Sequence, residues 1–367
     1  MIPLFPINSI FMVLGLMSVF SSAIAAILTL HQFMLTKNRL NLYTSLGWIF
    51  WLFFLLTFTL SGYFSTFNQD MAIILMQISM TISVALTFSM TLAFDTMSRE
   101  SADPIKLIII SFASAALIIF SMTPGSLHYE FSSGVIFFYG NEVFILSFFI
   151  LMVFLSYIHI FYNAKILWVA PKNLKFPAFM ELLGVISLAP GSLITLVLGT
   201  NLIISGISFL FIGLGTLPVA IVFAKYSKLS YILPFKALRL TIIETNSGIA
   251  IFNHVWNKLD DLVDEQLFSG MLQAISQILN ESLKRGNVQE IRMDRAVLFV
   301  KRLPSNPIAC ILASTKSSSS LQHALDSFSD HFSKDFAPFF DNPHMIDNFD
   351  SAKKLVEIYF PFIPEYD

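Results

Sequence analysis

The distribution of lysine and arginine over the first 230 residues constrains the fold of this chain more than any other feature. Long apolar segments fill this region, and all nine of its basic side chains lie in or next to every second gap between those segments. Cytoplasmic loops keep Lys and Arg, whereas translocated loops lose them. The alternation therefore predicts a membrane all-α heptahelical bundle with an outside amino terminus and a cytoplasmic carboxyl terminus.

Seven segments are long enough to cross a bilayer, which takes about 20 apolar residues in a helix. The predicted spans are residues 9–34, 43–65, 71–94, 105–122, 142–164, 177–199 and 203–224. The basic residues that flank them are Lys37, Arg39, Arg99, Lys106, Lys165, Lys172, Lys175, Lys225 and Lys228. Because the gaps are short, consecutive spans are expected to be antiparallel neighbours in an up-and-down bundle.

Composition divides the chain near residue 230. The whole chain is 55% hydrophobic and 13% charged, whereas soluble domains carry about 25% charged residues. Residues 1–230 hold nine basic and seven acidic side chains, a net charge of +2, and residues 231–367 hold 13 and 17, a net charge of −4. We therefore expect a seven-helix domain at 1–230, a short linker at 231–237 and a soluble domain at 238–367. The acidic second part gives no reason to expect nucleic-acid binding.

Two further features limit the class of protein. Cys310 is the only cysteine, which excludes a disulfide framework and a cysteine-based metal site. The amino-terminal sequence MIPLFPINS lacks the basic region and the small-residue cleavage site of a signal peptide. The first apolar segment is therefore expected to remain as a span.

The connection at residues 123–141 differs from the other outer gaps. It starts with Pro-Gly and alternates polar and apolar residues around Ser-Ser-Gly, which predicts a small β-hairpin. Outer loops on a rigid scaffold are common docking places for ligands, although a lid over the helix ends is an equally good interpretation. The candidate ligand-binding residues are Gln77, His128, Tyr129, Glu130 and Glu142.

Ionisable groups at membrane depth are costly and suggest a function. The candidates are His159 and Glu181, yet both lie close to the predicted cytoplasmic end, where a side chain can reach the interface. Gln77 lies deeper and equally suits an interhelical hydrogen bond. Trp48 and Trp51 are interpreted as packing residues or interface anchors.

Several functional classes lack their required residues. The last span contains no lysine for a retinal Schiff base, no span centre contains an aspartate for an intramembrane aspartyl protease, and no H-E-x-x-H motif occurs. The absence of an inverted repeat and of paired interrupted helices disfavours a transporter. We expect no enzymatic activity, no cofactor and no metal site.

Residues 1–240 resemble the amino-terminal seven-helix region of bacterial and archaeal sensor histidine kinases. The resemblance lies in Thr123-Pro124-Gly125 before the aromatic hairpin, in ELLGVISLAPGSLITLVLG around the last two spans, and in the exit AKYSKLSYILPFKALRL. It implies signal reception without indicating a ligand. A kinase is not expected, because His323 lies on a predicted helix but no Gly-rich nucleotide box or phosphate-binding loop follows.

Residues 238–367 predict a small α+β domain with the order ββαβββα and a closing helix. Strands are predicted at 238–244, 249–256, 288–293, 296–302 and 307–314, and helices at 260–284, 319–338 and 347–360. The turn TNSG favours a hairpin between the first two strands. The segment PIACILAS is nearly all apolar, which predicts the central strand of the sheet. His254, Asp294 and His331 are interpreted as solvated surface residues.

This order resembles the longin-like domains, which are relatives of the roadblock domains. The segments TNSGIAIF, EQLFSGMLQAI and LVEIYFPFIPEY are similar to the versions abundant in Asgard-type archaea. The resemblance covers residues 236–367 and implies a domain that binds or regulates small GTPases by contact. A PAS-like domain stays an alternative, although PAS domains generally place several helices between their second and third strands.

Together these features predict a multi-pass receptor or sensor of the plasma membrane. Its seven-helix bundle would couple to a cytoplasmic domain that binds a protein partner, by resemblance a small GTPase. One alternative is an anchor that places the GTPase-binding domain on a membrane. A transporter is less favoured, and the sequence leaves a homodimer open.

Overall fold

The computed structural model describes most of the chain. The described residues are 5–36, 39–99, 101–132, 135–197, 202–232, 235–245, 249–256, 289–294, 296–303, 308–340, 349 and 351–365. The chain divides into a helical unit, Met1–Ser227, and an α+β unit, Lys228–Asp367. The predicted helix at 260–284 lies outside the described residues.

Helices occupy the apolar segments of the helical unit. They are α1 (Phe5–Thr36), α2 (Arg39–Phe64), α3 (Gln69–Arg99), α4 (Pro104–Met122), α5 (Glu142–Val169), α6 (Lys175–Val197) and α7 (Leu202–Lys225). Among the described residues, six helices contain a stretch long and apolar enough to cross a membrane, namely α1 to α5 and α7. By length and composition the chain is therefore a multi-pass membrane protein. The role of α6 as a seventh span stays a prediction.

Side-chain caps fix the starts of α4 and α5. Asp103 precedes α4, and its carboxylate accepts a hydrogen bond from Ile105 N at 3.1 Å, with Pro104 at the first helical position. Asn141 precedes α5, and its side chain accepts from Phe144 N at 2.8 Å. Each cap satisfies a backbone N–H that has no partner inside the helix. The two caps thus set where the chain turns back into the bundle.

The predicted hairpin lies between α4 and α5. It consists of β1 (Leu127–Ser132) and β2 (Val135–Gly140), which pair in antiparallel fashion. Gly125 has a φ of 77° in the turn before β1, a left-handed conformation that glycine adopts without steric cost. At the base of the hairpin, Asn141 N donates to Ser126 O at 2.9 Å. The hairpin is therefore joined directly to the first turn of α5.

Glycines allow α6 and α7 to approach closely. A Cβ atom added to Gly184 would lie 2.8 Å from Gly215 O, and one added to Gly215 would lie 2.5 Å from Gly184 O. The obstructing atoms belong to the backbone, which cannot rotate away as a side chain can. Between helices in a lipid environment there is no hydrophobic driving force, and close van der Waals packing stabilises their contact instead. Small residues at the crossing allow that close packing.

Many buried hydroxyl groups in the helical unit bond to their own helix. Ser22 Oγ donates to Ser18 O at 2.8 Å, and Thr29 Oγ1 donates to Ala25 O at 2.9 Å. These bonds satisfy polar side chains locally, one turn back along the helix. Local bonding of this kind satisfies many of the buried serine and threonine hydroxyls, whereas those of Thr59, Thr91 and Ser114 have no partner among the described residues.

The α+β unit contains one five-stranded antiparallel sheet. Its strands are β3 (Ala237–Glu244), β4 (Ala250–Val255), β5 (Glu290–Arg292), β6 (Val297–Leu303) and β7 (Ile308–Ser314). Their order across the sheet is β4-β3-β7-β6-β5. The apolar segment PIACILAS supplies β7, which lies in the middle of the sheet and is buried along its whole length. The expectation of a central strand there is correct.

In the described part of the chain, two α-helices follow the sheet: α8 (Ser319–Asp335) and α9 (Ala352–Tyr359). Ser318 caps α8 by accepting from Leu321 N at 3.1 Å. The predicted end of this helix at residue 338 is wrong. A separate short 3-10 turn covers Ala337–Phe339, because Pro338 has no N–H with which to continue the helix.

An aromatic cluster joins these helices in the core of the α+β unit. Phe332 contacts Phe328 with ring centroids 5.7 Å apart and Phe349 with centroids 6.0 Å apart. Phe328 also contacts Phe360, just after α9, at 5.7 Å. Each ring buries a large apolar surface, and tilted or offset pairs add a favourable term beyond burial.

Two residues of the sheet show how its polar groups are accommodated. Cys310 on β7 is fully buried, and burial raises the pKa of its thiol to about 12. His254 on β4 is half-buried, with its ring edge-on to Trp256 at 4.7 Å between centroids. The expectation that His254 is a solvated surface residue is therefore wrong, whereas Asp294 and His331 are exposed.

Candidate functional site

Alternate side chains of β1 lie on opposite sides of the hairpin, as in any strand. Leu127 and Tyr129 are buried, whereas His128 and Glu130 are exposed. Within the register of the hairpin, His128 pairs with Tyr139. The two exposed candidates therefore lie on the hairpin side that faces away from the helices.

Tyr129 connects the hairpin to two helices. Its Oη lies 2.6 Å from Ser61 Oγ on α2, and Ser61 Oγ donates to Ala72 O on α3, also at 2.6 Å. A serine hydroxyl has one proton to donate, so Tyr129 donates to Ser61. Burial raises the pKa of Tyr129, which keeps the phenol in its donating form. The structure thus gives this candidate ligand residue a role in fixing the hairpin.

Gln77 and Glu142, the remaining candidate ligand-binding residues at the hairpin end of the helical unit, also have defined positions. Gln77 Nε2 on α3 donates to Ser121 O on α4 at 2.9 Å, the interhelical bond that the sequence allowed as one interpretation. Glu142 is exposed at the first position of α5, where a negative charge is favourable near the helix N-terminus. Of the five candidates, the structure leaves His128, Glu130 and Glu142 exposed to a ligand arriving at the hairpin.

A buried ion pair lies at the opposite end of the helical unit. Asp95 on α3 is fully buried, and Lys106 on α4 donates to its carboxylate. Asp103 N also donates to Asp95, at 2.8 Å, and Lys106 Nζ donates to Tyr162 Oη on α5 at 3.1 Å. A buried carboxylate is very costly unless it is paired and hydrogen-bonded. Both conditions are met, and three helices are joined at one point.

Aromatic rings extend this cluster towards the middle of the unit. Tyr162 stacks on Phe94 with ring centroids 5.6 Å apart, and Phe94 meets His159 edge-on at 4.5 Å. His159 Nδ1 lies 3.1 Å from Leu155 O, one turn earlier on α5. We therefore assign the proton of a neutral His159 to Nδ1, from this hydrogen bond. Glu181 joins none of these described contacts.

A cavity adjoins His159 between four helices. Its volume is about 50 Å³, counted as the space open to the centre of a water molecule. Its walls come from α2, α3, α5 and α6: Trp48, Trp51, Leu86, Met90, Met152, Leu155, Ser156, His159, Val185, Leu188 and Ala189. A smaller cavity shares Trp51 and Met152 with it and extends to Phe209 on α7. The interior is therefore loosely packed along part of its length.

Trp51, whose side chain contributes to the wall of this cavity, carries a buried donor without a described partner. Its side chain is only 7% exposed, and its indole Nε1 has no hydrogen-bond partner within the described part of the chain. Buried tryptophan N–H groups usually have a partner. Because the indole nitrogen itself has almost no accessible surface, this donor lies behind the wall of the cavity and not on its surface.

Two features of this site were not predicted from the sequence: the buried cluster of Asp95, Lys106 and Tyr162, and the unsatisfied indole N–H of Trp51. Asp95 and Lys106 looked like ordinary charges at the ends of spans, and Tyr162 had no distinguishing feature. The one available signal was an acidic residue at the end of one span and a lysine just inside the next, across a short loop. Trp51 looked like a packing residue, since sequence gives no information on an unsatisfied donor.

Comparison with protein-family models, curated proteins and solved structures gives no match. Among the described residues, no group of three or more His, Cys, Asp or Glu side chains is placed to hold a metal ion. The interpretation of the site therefore rests on its own geometry.

Proposed function

We propose that this protein is a seven-span membrane receptor or sensor that passes a signal from its hairpin end to the α+β unit. The course of α5 is the observation that supports this proposal. The helix starts at the hairpin, contributes Met152, Leu155, Ser156 and His159 to the cavity wall, and reaches the buried ion pair through Tyr162. A single element thus contacts all three candidate sites. A ligand that favours one position of α5 would change its other contacts as well.

The proposed orientation places the hairpin outside the cell and the α+β unit in the cytoplasm. The alternation of Lys and Arg supports it. It also requires α6 to span the membrane, which its 23 residues allow: at about 1.5 Å per residue they exceed the roughly 30 Å of a hydrocarbon core. An odd number of spans then separates the two ends of the chain. We propose the plasma membrane as the location.

For the α+β unit we propose a longin-like, protein-binding role, with a small GTPase as the partner. The antiparallel order β4-β3-β7-β6-β5 and the helix that follows β7 support this. The described strands also leave β4 and β5 at the two edges of the sheet, where an incoming strand can add. The binding would act by contact rather than by chemistry.

The partner is tested with the full-length chain in lipid nanodiscs. Purified small GTPases of the host, loaded with GDP or with a non-hydrolysable GTP analogue, are offered to immobilised nanodiscs. We expect capture that depends on the nucleotide. A chain that ends at residue 227 is the control and should capture none. Equal capture in both nucleotide states, or none, would remove the GTPase from the proposal.

Signalling is separated from simple anchoring by Tyr162→Phe. This change removes the hydroxyl that accepts from Lys106 but keeps the ring that stacks on Phe94. If α5 transmits the signal, partner capture should change on the order of fivefold, the lower end of typical allosteric coupling. An anchor predicts the same capture as the unchanged chain, and that result would contradict the receptor proposal.

A further inference from the structure

We infer that the corner between α5 and α6, residues 165–176, binds the headgroup of an anionic phospholipid. Its lysine side chains pair with the lipid phosphate, and its exposed aromatic rings lie against the apolar part of the same lipid. The leaflet that holds this α5–α6 corner depends on the proposed orientation, whereas lipid binding itself does not.

The α5–α6 corner presents positive charge and apolar surface together. The side chains of Lys165, Lys172 and Lys175 are exposed. Trp168 is 84% exposed and Phe176 is 71% exposed. Tryptophan is enriched at the boundary between membrane and water, and lysine near a membrane surface is attracted to anionic lipids. Both halves of an anionic lipid therefore find a matching group here.

The lysines of the corner have no nearby counter-charge. Residues 143–180 contain no Asp or Glu, and none of the three lysines forms an ion pair within the part of the chain that the structure describes. Lys106, near the start of α4, differs because it pairs with Asp95. The positive charge of the corner is thus available to an external anion.

The length of α5 places this charge at headgroup depth. The helix has 28 residues and is a candidate span, so at about 1.5 Å per residue it is roughly 42 Å long. The hydrocarbon core is about 30 Å thick. When the core is centred on α5, roughly four residues at each end extend beyond it, and Trp168 is one of them. Lys165 lies just inside, and its long stem lets the ammonium reach the headgroups.

Buried residues hold the corner in place. Ile166, Ala170 and Leu174 are buried, so the backbone between the two helices is anchored to the helical unit. Ala170 N donates to Ile166 O at 2.8 Å, and Leu174 N donates to Pro171 O at 2.9 Å. Because the backbone is already fixed, binding orders only side chains, which lowers its entropic cost.

A phospholipid matches this surface better than a free anion does. Free phosphate would pair with the lysines but leave the rings of Trp168 and Phe176 in contact with water. A lipid carries its phosphate on an apolar body, so one molecule covers both the charges and the rings. The bilayer also holds that phosphate at the depth of the corner.

Two lipids with identical acyl chains test the inference. Dioctanoyl phosphatidylglycerol has a net negative charge, and dioctanoyl phosphatidylcholine has none. Each is titrated into the detergent-solubilised full-length chain, and native mass spectrometry measures the fraction that carries a first bound lipid. One lysine near an anionic surface contributes roughly fivefold in affinity, so we expect the anionic lipid to bind on the order of tenfold more tightly.

Salt tests the same preference in the unchanged chain. Raising ammonium acetate from about 0.1 M to about 1 M shortens the Debye length from about 10 Å to about 3 Å. Most of the preference for phosphatidylglycerol should then disappear, because the paired groups lie at the surface. A preference that resists this salt would contradict pairing with exposed lysines.

Substitutions locate the site. The triple variant Lys165→Gln, Lys172→Gln, Lys175→Gln should bind the two lipids equally. Trp168→Ser removes apolar contact without changing the charge, so it should weaken the binding of both lipids and leave the preference for phosphatidylglycerol.

The matched control has the same change in net charge and should keep the preference. It replaces three exposed lysines of the α+β unit with glutamine: Lys334, Lys353 and Lys354. Glycerol phosphate, which has the phosphate but no acyl chains, should not displace the lipid at equal concentration.

The inference is overturned if the unchanged chain binds the two lipids equally, which would leave the lysines to solvent or to an acidic protein. It is also overturned if the triple variant keeps the preference, if Trp168→Ser binds both lipids as tightly as the unchanged chain does, or if glycerol phosphate competes as well as the lipid, as a site for free anions predicts.

These measurements use neither a GTPase nor an intact membrane, so their outcome is independent of the proposed function. A lipid site in a chain that captures no GTPase would remove the proposed partner and leave the site in place. Failure to bind the anionic lipid would remove the site and leave the GTPase and Tyr162→Phe tests unaffected.

Discussion

At the scale of single residues, two of the ion pairs among the described residues differ in burial. The side chain of Asp95 is 0% exposed and that of its partner Lys106 is 20% exposed. In the pair between Glu290 and Arg292 the arginine side chain is 74% exposed. Exposed pairs contribute little because water screens them. Breaking a buried pair leaves an uncompensated charge.

We predict that Asp95→Asn lowers the free energy of unfolding by about 3 kcal/mol, because it leaves the Lys106 ammonium mostly buried without a counter-charge. Lys106→Met alone should also be destabilising, and the double variant should lose less stability than the sum of the two single variants. Glu290→Ala is the control, with an expected cost below about 1 kcal/mol. Thermal unfolding of the full chain in detergent compares these four variants with the unchanged chain. Strictly additive losses in the double variant would show that the pair is not coupled.

A second residue-scale prediction concerns pH. Burial lowers the pKa of His254 below its usual value, Glu365 and Glu357 act in the raising direction, and Lys353 acts in the lowering direction. The folded chain thus binds this proton less readily than the unfolded chain. The resulting stability is present above the unfolded pKa, about 6.5, and is lost as the pH falls below it.

We therefore expect amide hydrogen exchange in β4 to accelerate between about pH 7.5 and about pH 5.5, after correction for the intrinsic exchange rate. In His254→Phe this acceleration should be smaller, since phenylalanine does not titrate. Exchange in α8, on which His254 does not lie, serves as the internal reference. An equal response in both proteins would mean that another group controls the pH dependence.

At the scale of elements, the crossing of α6 and α7 depends on two glycines whose missing side chains keep the backbones close. Gly213, two residues before Gly215, is different. A Cβ atom there would lie 3.6 Å from its nearest neighbour, Ser18 Cα, which is an ordinary contact. The same helix therefore supplies a constrained glycine and a matched unconstrained one.

We predict that Gly215→Ala destabilises the helical unit by about 1–3 kcal/mol through overpacking against Gly184 O. Gly213→Ala should be neutral or slightly stabilising, because alanine has the higher helix propensity. The midpoint of thermal unfolding in one detergent compares the two variants. Similar effects from both substitutions would show that the close approach does not limit stability.

Local signals in the sequence predicted the helices and strands well but predicted the contacts between them poorly. Asp103 followed by Pro104 indicates a helix start, and α4 begins there. Apolar content alone identified β7 as the central strand. The ion pair is different, because Tyr162 lies 56 residues from Lys106 and no local pattern shows which side of α5 faces α4. Contacts between helices depend on packing, which a single sequence does not encode in any short window.

At the scale of the whole molecule, the six described candidate spans make the chain a multi-pass membrane protein, and the proposed direction of signalling depends on the side of the membrane that each end occupies. Two exposed histidines mark those ends: His128 in the hairpin and His323 on α8. The charge alternation predicts that they lie on opposite sides of the membrane.

Because Cys310 is buried, the orientation can be tested by labelling cysteines introduced at the two ends, without first removing the native cysteine. Maleimides react with the thiolate, and the only cysteine in the chain is fully buried with its pKa raised to about 12. The unchanged chain should thus remain unlabelled in its folded state. We expect a membrane-impermeant maleimide to label His128→Cys in intact cells and to label His323→Cys only after permeabilisation. The reverse pattern, or labelling of both in intact cells, would contradict the orientation. Burial of Cys310 in the folded chain therefore provides the unlabelled background that such experiments otherwise obtain by mutating every native cysteine.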